Sequence, residues 1–351
     1  MATHEKFKGY FGTYTKEDSE GIYSFTLDPV NGKILDVEPA AALENPTYLT
    51  ISDDNRFLYA VAKEGGTGGV AGFRILDSGK LSFINSELAQ GASPCHVSVN
   101  EENNLLLSAN YHKGSADSYL LNPETGNIES VLSSAVHDGS GPDERQEKAH
   151  THYAGFTPDG NHSAVIDLGI DQLITYTLDN GQLIEKSVLH IAPGSGPRHL
   201  VFHPNNTIAY LMTEFSSEVL VLKYNSQEGS FEQLQAISTL PADFTDNNQG
   251  SAIHISSDGK YVYAANRGHD SIAIFKVDPE SFQLDFVELT STEGNWPRDF
   301  VLDPSEKFLI AANQNSSNVA LYSRDTDTGR LTLLQSDVKV PDPVCVKFLN
   351  Y

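Results

Sequence analysis

Residues 296–314 read WPRDFVLDPSEKFLIAANQ, and residues 250–267 read GSAIHISSDGKYVYAANR. Each is a short apolar run with alternating character, a polar turn, and a second apolar run ending in Ala-Ala-Asn. Period-two alternation marks half-buried strands, and the turn chemistry between them marks a hairpin. The phrase recurs at 45–63 (NPTYLTISDDNRFLYAVAK), 93–111 (SPCHVSVNEENNLLLSANY), 150–168 (HTHYAGFTPDGNHSAVIDL) and 196–215 (GPRHLVFHPNNTIAYLMTEF). Superposing the copies brings Pro46, Pro94, Thr151, Pro197, Gly250, Pro297 and Pro343 to one position, at intervals of 48, 57, 46, 53, 47 and 46 residues.

Working outward, each copy continues into a third strand, such as SIAIFKVD from Ser271 or NVALYSRD from Asn318. A turn such as PETG (123–126) or TDTG (326–329) then leads to a fourth. Four antiparallel strands per unit of this length make a propeller blade, whereas helical repeats would space their apolar residues by three and four. The seventh copy is split. PDPVCVKFLN (341–350) is a first strand with nothing after it, and KGYFGTYT and GIYSFTLD near the N-terminus have no first strand before them. Joining the ends closes the ring and hides its sheet edges. The expectation is an all-β, seven-bladed β-propeller of four-stranded antiparallel blades, one domain over residues 1–351, its last blade closed by N- and C-terminal strands.

The composition narrows the function. The 351 residues carry 47 Asp and Glu against 23 Lys and Arg, a formal charge of −24, with 39% hydrophobic residues. Such a chain has material for a large core and repels nucleic-acid phosphates and anionic membranes over most of its area. No nucleic-acid or membrane partner is expected. An anionic ligand would need the few cations gathered in one place. Only two cysteines occur, Cys95 and Cys345, and the start Met1-Ala2-Thr3-His4-Glu5-Lys6 lacks a leader pattern, so the expected compartment is the cytoplasm.

In a propeller the innermost strands line a central channel. The position after the superposed residue carries Thr47, Cys95, His152, Arg198, Ser251, Arg298 and Val344. A second ring, just after the second strand, carries Tyr14, Lys63, Tyr111, Leu168, Glu214, Arg267 and Gln314, preceded in four copies by Asn110, Asp167, Asn266 and Asn313. The two rings should bring His152, Arg198, Glu214, Arg267 and Arg298 to one axis. His150 and Asn266 join Arg267 and Arg298 as candidate substrate- or phosphate-binding residues. His150 and His152 form an H-x-H pair that would share one face of a strand, yet no third ligand at metal spacing is evident, so neither metal nor cofactor is expected. His199, His203, His254 and His269 read as turn or strand-surface residues, and Cys95 as a packing residue without a general base. The glycine-rich Lys63–Gly69 stretch lacks a strand–loop–helix context and reads as a flexible hairpin rather than a phosphate loop. The polar stretch HDGSGPDERQEK (137–148) reads as a loop over one face.

The phrases SPCHVSVN, GPRHLVFHPN, SSDGKYVYAANRGHDSIAIF and WPRDFVLDPSEKFLIAANQNSSNV carry a resemblance. The chain resembles the seven-bladed propeller lactonases, the family of the 6-phosphogluconolactonases (cycloisomerase 2 type), which is similar to the fungal carboxy-muconate lactonising enzyme. The Gly-His and Trp-Asp pairs that WD repeats show at blade ends are missing. The resemblance implies a catalytic set of His152, Arg198 and Glu214, with Arg267 beside them, while Arg298 rests on ring position alone. It implies hydrolysis of 6-phospho-D-glucono-1,5-lactone, with a small anionic sugar lactone as the partner. Either His152 or Glu214 could be the general base, Arg198 could stabilise the oxyanion, and Arg267 and Arg298 could anchor phosphate. Two alternatives stay open. One is a lactonase or cycloisomerase for another sugar lactone or muconate-like acid. The other is a non-catalytic propeller that binds a protein partner through an exposed apolar patch.

Overall fold

The computed structural model describes residues 6–16 and 18–351. The leader reading turned on residues 1–6, of which 1–5 lie outside the described residues. Among the described residues there are seven four-stranded antiparallel sheets and no helix. Six run in chain order from the innermost strand outward. In the seventh, Pro343–Phe348 is innermost and pairs with Phe7–Thr13, which leads on to Gly21–Asp28 and Lys33–Ala42. The closing register sets Gly9 against Phe348 and Phe11 against Val346.

Turn chemistry explains why the inner hairpins form. At the tip of six of them one residue takes a left-handed backbone: Asn55, Asn103, Gly160, Asn206, Gly259 and Glu306, with φ between 52° and 72°. Asn and Gly tolerate that region, and Glu306 is the exception among them. A Ser, Thr or Asp before the tip then caps the returning strand: Ser52 Oγ accepts from Phe57 N at 2.9 Å, and Asp303 Oδ1 from Phe308 N at 2.7 Å. The Lys63–Gly69 stretch is a tighter hairpin than expected, with Glu64 opposite Thr67 across only Gly65 and Gly66.

The core lies between blades rather than at one centre. Phe11, Phe25, Ile310, Leu321 and Val346 pack the sixth blade on the seventh, and Tyr263, Ile274, Phe300 and Leu309 pack the fifth on the sixth. Buried tyrosines satisfy their hydroxyls across these seams. Tyr10 donates to Gly79 O at 3.1 Å, Tyr210 to Phe282 O at 3.1 Å and Tyr263 to Gly329 O at 2.8 Å. A large apolar body with a satisfied polar tip fixes each blade against the next.

One irregularity positions the site. Register shifts fall at the start of five innermost strands: Thr151 and Tyr153 pair with consecutive residues Asp167 and Ile166, and likewise Pro197 and His199, Pro297 and Asp299, and Pro343 and Cys345. The residues skipped are His152, Arg198, Arg298 and Val344, and in the fifth blade Ser251 with Ala252. These are β-bulges, in which the extra residue leaves the ladder and its side chain is re-aimed. Three candidate residues stand on them.

Candidate active site

A cavity of about 400 Å³ opens at one end of the channel, lined by His152, Glu214, Arg267, Arg298, Trp296, Tyr14, Tyr111 and Cys95 among others. His152, Glu214, Arg267 and Arg298 line it, and Arg198, buried and outside the lining, joins them through Glu214, so that five residues drawn from the third to the sixth blades meet. Glu214 Oε2 is their hub. Arg267 Nη2 lies 2.8 Å from it and Arg198 Nε 3.1 Å, but the Nε–H of Arg198 does not point along that line, so this second contact pairs charge without a hydrogen bond. Backbone carbonyls hold these guanidiniums further: Arg198 Nη1 donates to Ser251 O at 2.7 Å, and Arg267 Nη2, the same nitrogen that meets Glu214, also donates to Gly250 O at 2.9 Å. Arg298 differs. It is partly exposed, faces the Tyr14 ring with its guanidinium carbon 5.5 Å from the centroid, and has no ion-pair or hydrogen-bond partner among the described residues.

The charges tune one another. Burial alone would raise the Glu214 carboxyl, but Arg267, Arg198 and Arg298 outweigh it and keep the group ionised. Burial, with Arg267 and Arg298 against the partial relief of Glu214, brings Arg198 down to about 9. Burial first, then Arg198, Arg298 and Arg267, push His152 well below the ordinary imidazole value, so it is neutral at pH 7. Its Nδ1 is buried and has no hydrogen-bond partner among the described residues. Three guanidiniums and one carboxylate leave two net positive charges around a neutral imidazole.

Three candidates do not line the cavity: Arg198 stands behind Glu214, and His150 and Asn266 are held elsewhere. His150 precedes the third blade's bulge, and its ring stacks on Tyr111 at 4.1 Å. Its Nδ1 meets Tyr111 O at 2.9 Å and its Nε2 meets Glu147 at 3.1 Å. The H-x-H pair thus occupies two settings, because the bulge breaks the alternation that would have aligned it. Among the described residues no three His, Cys, Asp or Glu side chains converge as a metal site. Asn266 is fully buried and tied to Thr239 O at 2.9 Å, Thr239 Oγ1 at 2.7 Å and Asn248. It braces the turn beneath Arg267.

Two histidines correct the reading from sequence. His199 is not at the surface: it is buried inside the channel, its ring 5.1 Å from that of His152. His254 lies half-buried, 3.8 Å from Asp299. Cys95 lines the cavity with its thiol pushed up to about 11, because burial exceeds the opposing pull of Arg198 and Arg298, so it is protonated.

The structure also adds residues. Trp296 takes a φ of 67°, costly for a bulky side chain, at the position that Asn45, Gly196 and Asp342 occupy in other blades. Asp270 accepts its N–H at 2.8 Å and Arg267 lies over its ring at 5.5 Å. A tryptophan at a turn position of the repeat was the signal available. Arg145, from the long loop, stacks on Phe215 at 3.8 Å beside the mouth. That loop is pinned, since His137 Nδ1 meets Asp167 at 2.7 Å and Gln146 donates to Leu168 O at 2.7 Å.

Known proteins share this arrangement at the level of the whole chain. The family described as lactonase, 7-bladed beta-propeller, matches residues 8–348. A 6-phosphogluconolactonase of Bacillus subtilis is 54% identical over 346 residues, 98% of this chain and 99% of the relative. The crystal structure of a protein from Lactobacillus plantarum superposes with a TM-score of 0.95 at 43% identity, covering 99% of this chain and 100% of that one. The periplasmic gluconolactonase of Pseudomonas aeruginosa superposes at 0.93 with 32% identity, covering 98% and 99%. With seven closed blades and a match running from the first described strand to the last, the chain belongs to the seven-bladed β-propeller lactonase family.

Proposed function

We propose that the protein is a hydrolase of carboxylic esters that opens 6-phospho-D-glucono-1,5-lactone to 6-phosphogluconate, a step of glucose metabolism in the pentose phosphate pathway. The observation that carries the phosphorylated substrate is the unpartnered Arg298 in a cavity with two net positive charges, on a chain of charge −24. A phosphoester dianion complements that excess, and a planar guanidinium suits its oxygens. Arg267 and the Trp296 and Tyr14 rings offer the sugar ring a charged edge and apolar faces.

His152 is the general base in this reading. It is neutral and its Nδ1 has no hydrogen-bond partner among the described residues, whereas Glu214 is held by two arginines and its basicity is suppressed. Water attacks the lactone carbonyl, and the oxygen that becomes anionic is met by Arg198. The C–O bond to the ring oxygen then breaks, and that oxygen takes a proton from the imidazolium. Glu214 acts as the organiser that spaces the two guanidiniums. Residues 1–351 act as one domain, and the two free thiols, Cys95 and Cys345, suit the cytoplasm.

The test is lactone hydrolysis against spontaneous ring opening. Acceleration of the phosphorylated lactone above that of glucono-1,5-lactone is expected, and no acceleration of either overturns the reading. Arg298→Met should raise KM for the phosphorylated lactone by about tenfold or more and leave the unphosphorylated one nearly unchanged, since a charge-assisted contact is lost. The same variant should move the acidic limb of kcat/KM upward. Activity needs neutral His152, Arg298 disfavours its cation, and removing that cation lets the imidazole protonate at higher pH.

A further inference from the structure

Trp296 is the chain's one tryptophan, and it stands on a backbone that does not suit it. The residue before the superposed position is left-handed in four blades, at Asn45, Gly196, Trp296 and Asp342, with φ of 49°, 60°, 67° and 41°. Asn, Gly and Asp tolerate that region, whereas a bulky side chain there is strained. The strain is held in place from the neighbouring blade. Asp270 Oδ1 accepts from Trp296 N at 2.8 Å and from Gly268 N at 3.1 Å, and Asp270 Oδ2 accepts from Asn295 Nδ2 at 2.7 Å. Core packing does not explain the choice of residue. The ring is partly exposed and, among the described residues, joins none of the apolar clusters between blades. It lines the catalytic cavity instead, with the guanidinium carbon of Arg267 over one face at 5.5 Å from the centroid.

We propose that Trp296 is the residue by which the site tells the closed lactone ring from the opened product, its indole stacking on a C–H face of a six-membered sugar ring. The inference rests on the hydrolytic reading above. Ring opening turns a neutral ester into a carboxylate, so the product carries one more negative charge than the substrate. Arg198, Arg267 and Arg298 therefore attract the product more strongly, through charge-assisted hydrogen bonds that the lactone carbonyl cannot match. A site that read charge alone would fill with its own product. Discrimination in the other direction needs a contact that the ring makes and the open chain does not.

An indole supplies that contact. The hydroxyls of a glucono-1,5-lactone stand around the rim of its ring, which leaves flat C–H faces, and indole is a large rigid apolar plane. With Arg267 over one side of the indole, the sugar takes the other. The opened chain has no such face and loses rotational freedom if it is pressed into one. A strained backbone persists where the surroundings hold it and function uses it, and both conditions meet at Trp296.

The test uses two ligands that share a phosphate: 1,5-anhydro-D-glucitol 6-phosphate, a closed ring that cannot hydrolyse, and 6-phosphogluconate, the open chain. Calorimetric titration of wild type, Trp296→Asn and Trp296→Phe reads the affinities. Trp296→Asn is expected to weaken the ring analogue by about tenfold and the open chain by no more than about twofold, since only the stacked face is lost. The same variant should melt about 1–2 °C above wild type, because Asn accepts the left-handed backbone. Trp296→Phe keeps both an apolar plane and the strain, so it should hold the ring analogue within about threefold and gain nothing in Tm. In wild type, the emission of the single tryptophan should change with the ring analogue and much less with 6-phosphogluconate. Equal weakening of both ligands in Trp296→Asn, an unchanged affinity for the ring analogue, no binding of it by wild type, or a lowered Tm overturns the proposal. Binding of the ring analogue through Trp296 without wild-type turnover of the lactone would instead defeat the hydrolytic reading.

Discussion

Arg198→Met is expected to lower kcat/KM for 6-phosphogluconolactone by about 100- to 1000-fold, the usual effect of removing one preorganised donor from a developing oxyanion. The argument rests on where the residue sits. Its guanidinium is almost wholly buried, anchored by Ser251 O at 2.7 Å and charge-paired to Glu214, yet its Nε–H is uncommitted. A buried donor without a partner costs free energy in the resting protein, and the cost is recovered when a negative oxygen arrives. The loss should fall mainly on kcat, because the anchoring of the anionic substrate is left to Arg298 and Arg267. Folding should survive, since Glu214 retains Arg267 at 2.8 Å and is not left as a lone buried charge. Arg198→Lys keeps the charge without the fork and should recover only part of the loss. A steady-state comparison checks this, with thermal unfolding as the control. Activity of Arg198→Met within threefold of wild type would remove this residue from the transition state.

How much of this was legible in sequence follows from what a repeat can and cannot encode. The seven superposed positions grouped His152, Arg198, Glu214, Arg267 and Arg298, and these side chains lie near one another because every blade enters the channel with the same local geometry. Simple alternation failed for the residues next to them. A strand without irregularity would turn His199 away from the face of its neighbours. The extra residue at Arg198 resets the register, however, so that Arg198 and His199 both address the channel. The same bulge at His152 separated His150 from it. Trp296 was missed because a bulky residue at positive φ runs against propensity, and Asp270 and Arg267, which hold it there, come from another blade. Arg145 stood in an unpatterned loop, whose path is set by His137, Asp167 and Gln146 rather than by any period.

Acidification should destabilise this protein from about pH 6.5 downward, before its carboxylates titrate. His96, His152 and His199 are buried neutral in one channel, each with its pKa lowered, first by burial and then by neighbouring cations. In the unfolded chain each titrates near 6.5. Below that value the unfolded state binds protons that the folded state refuses, so stability falls with falling pH until the lowered folded values are reached. Three such groups give a slope approaching about 4 kcal/mol per pH unit, a large part of the stability of an ordinary domain. Glu214 and Asp299 contribute in a different window. Their folded values are lowered, so their stabilisation is lost only as pH falls below the carboxylate range. Urea titrations at about pH 7.5, 6.5 and 5.5 read the slope directly. His96→Phe should flatten it by about one third, because one of the three proton sites is gone while the ring volume stays. A wild-type unfolding midpoint unchanged across that range would mean that the channel imidazoles protonate freely in the native protein. The proposed use of His152 as a neutral acceptor in catalysis would then fail with it.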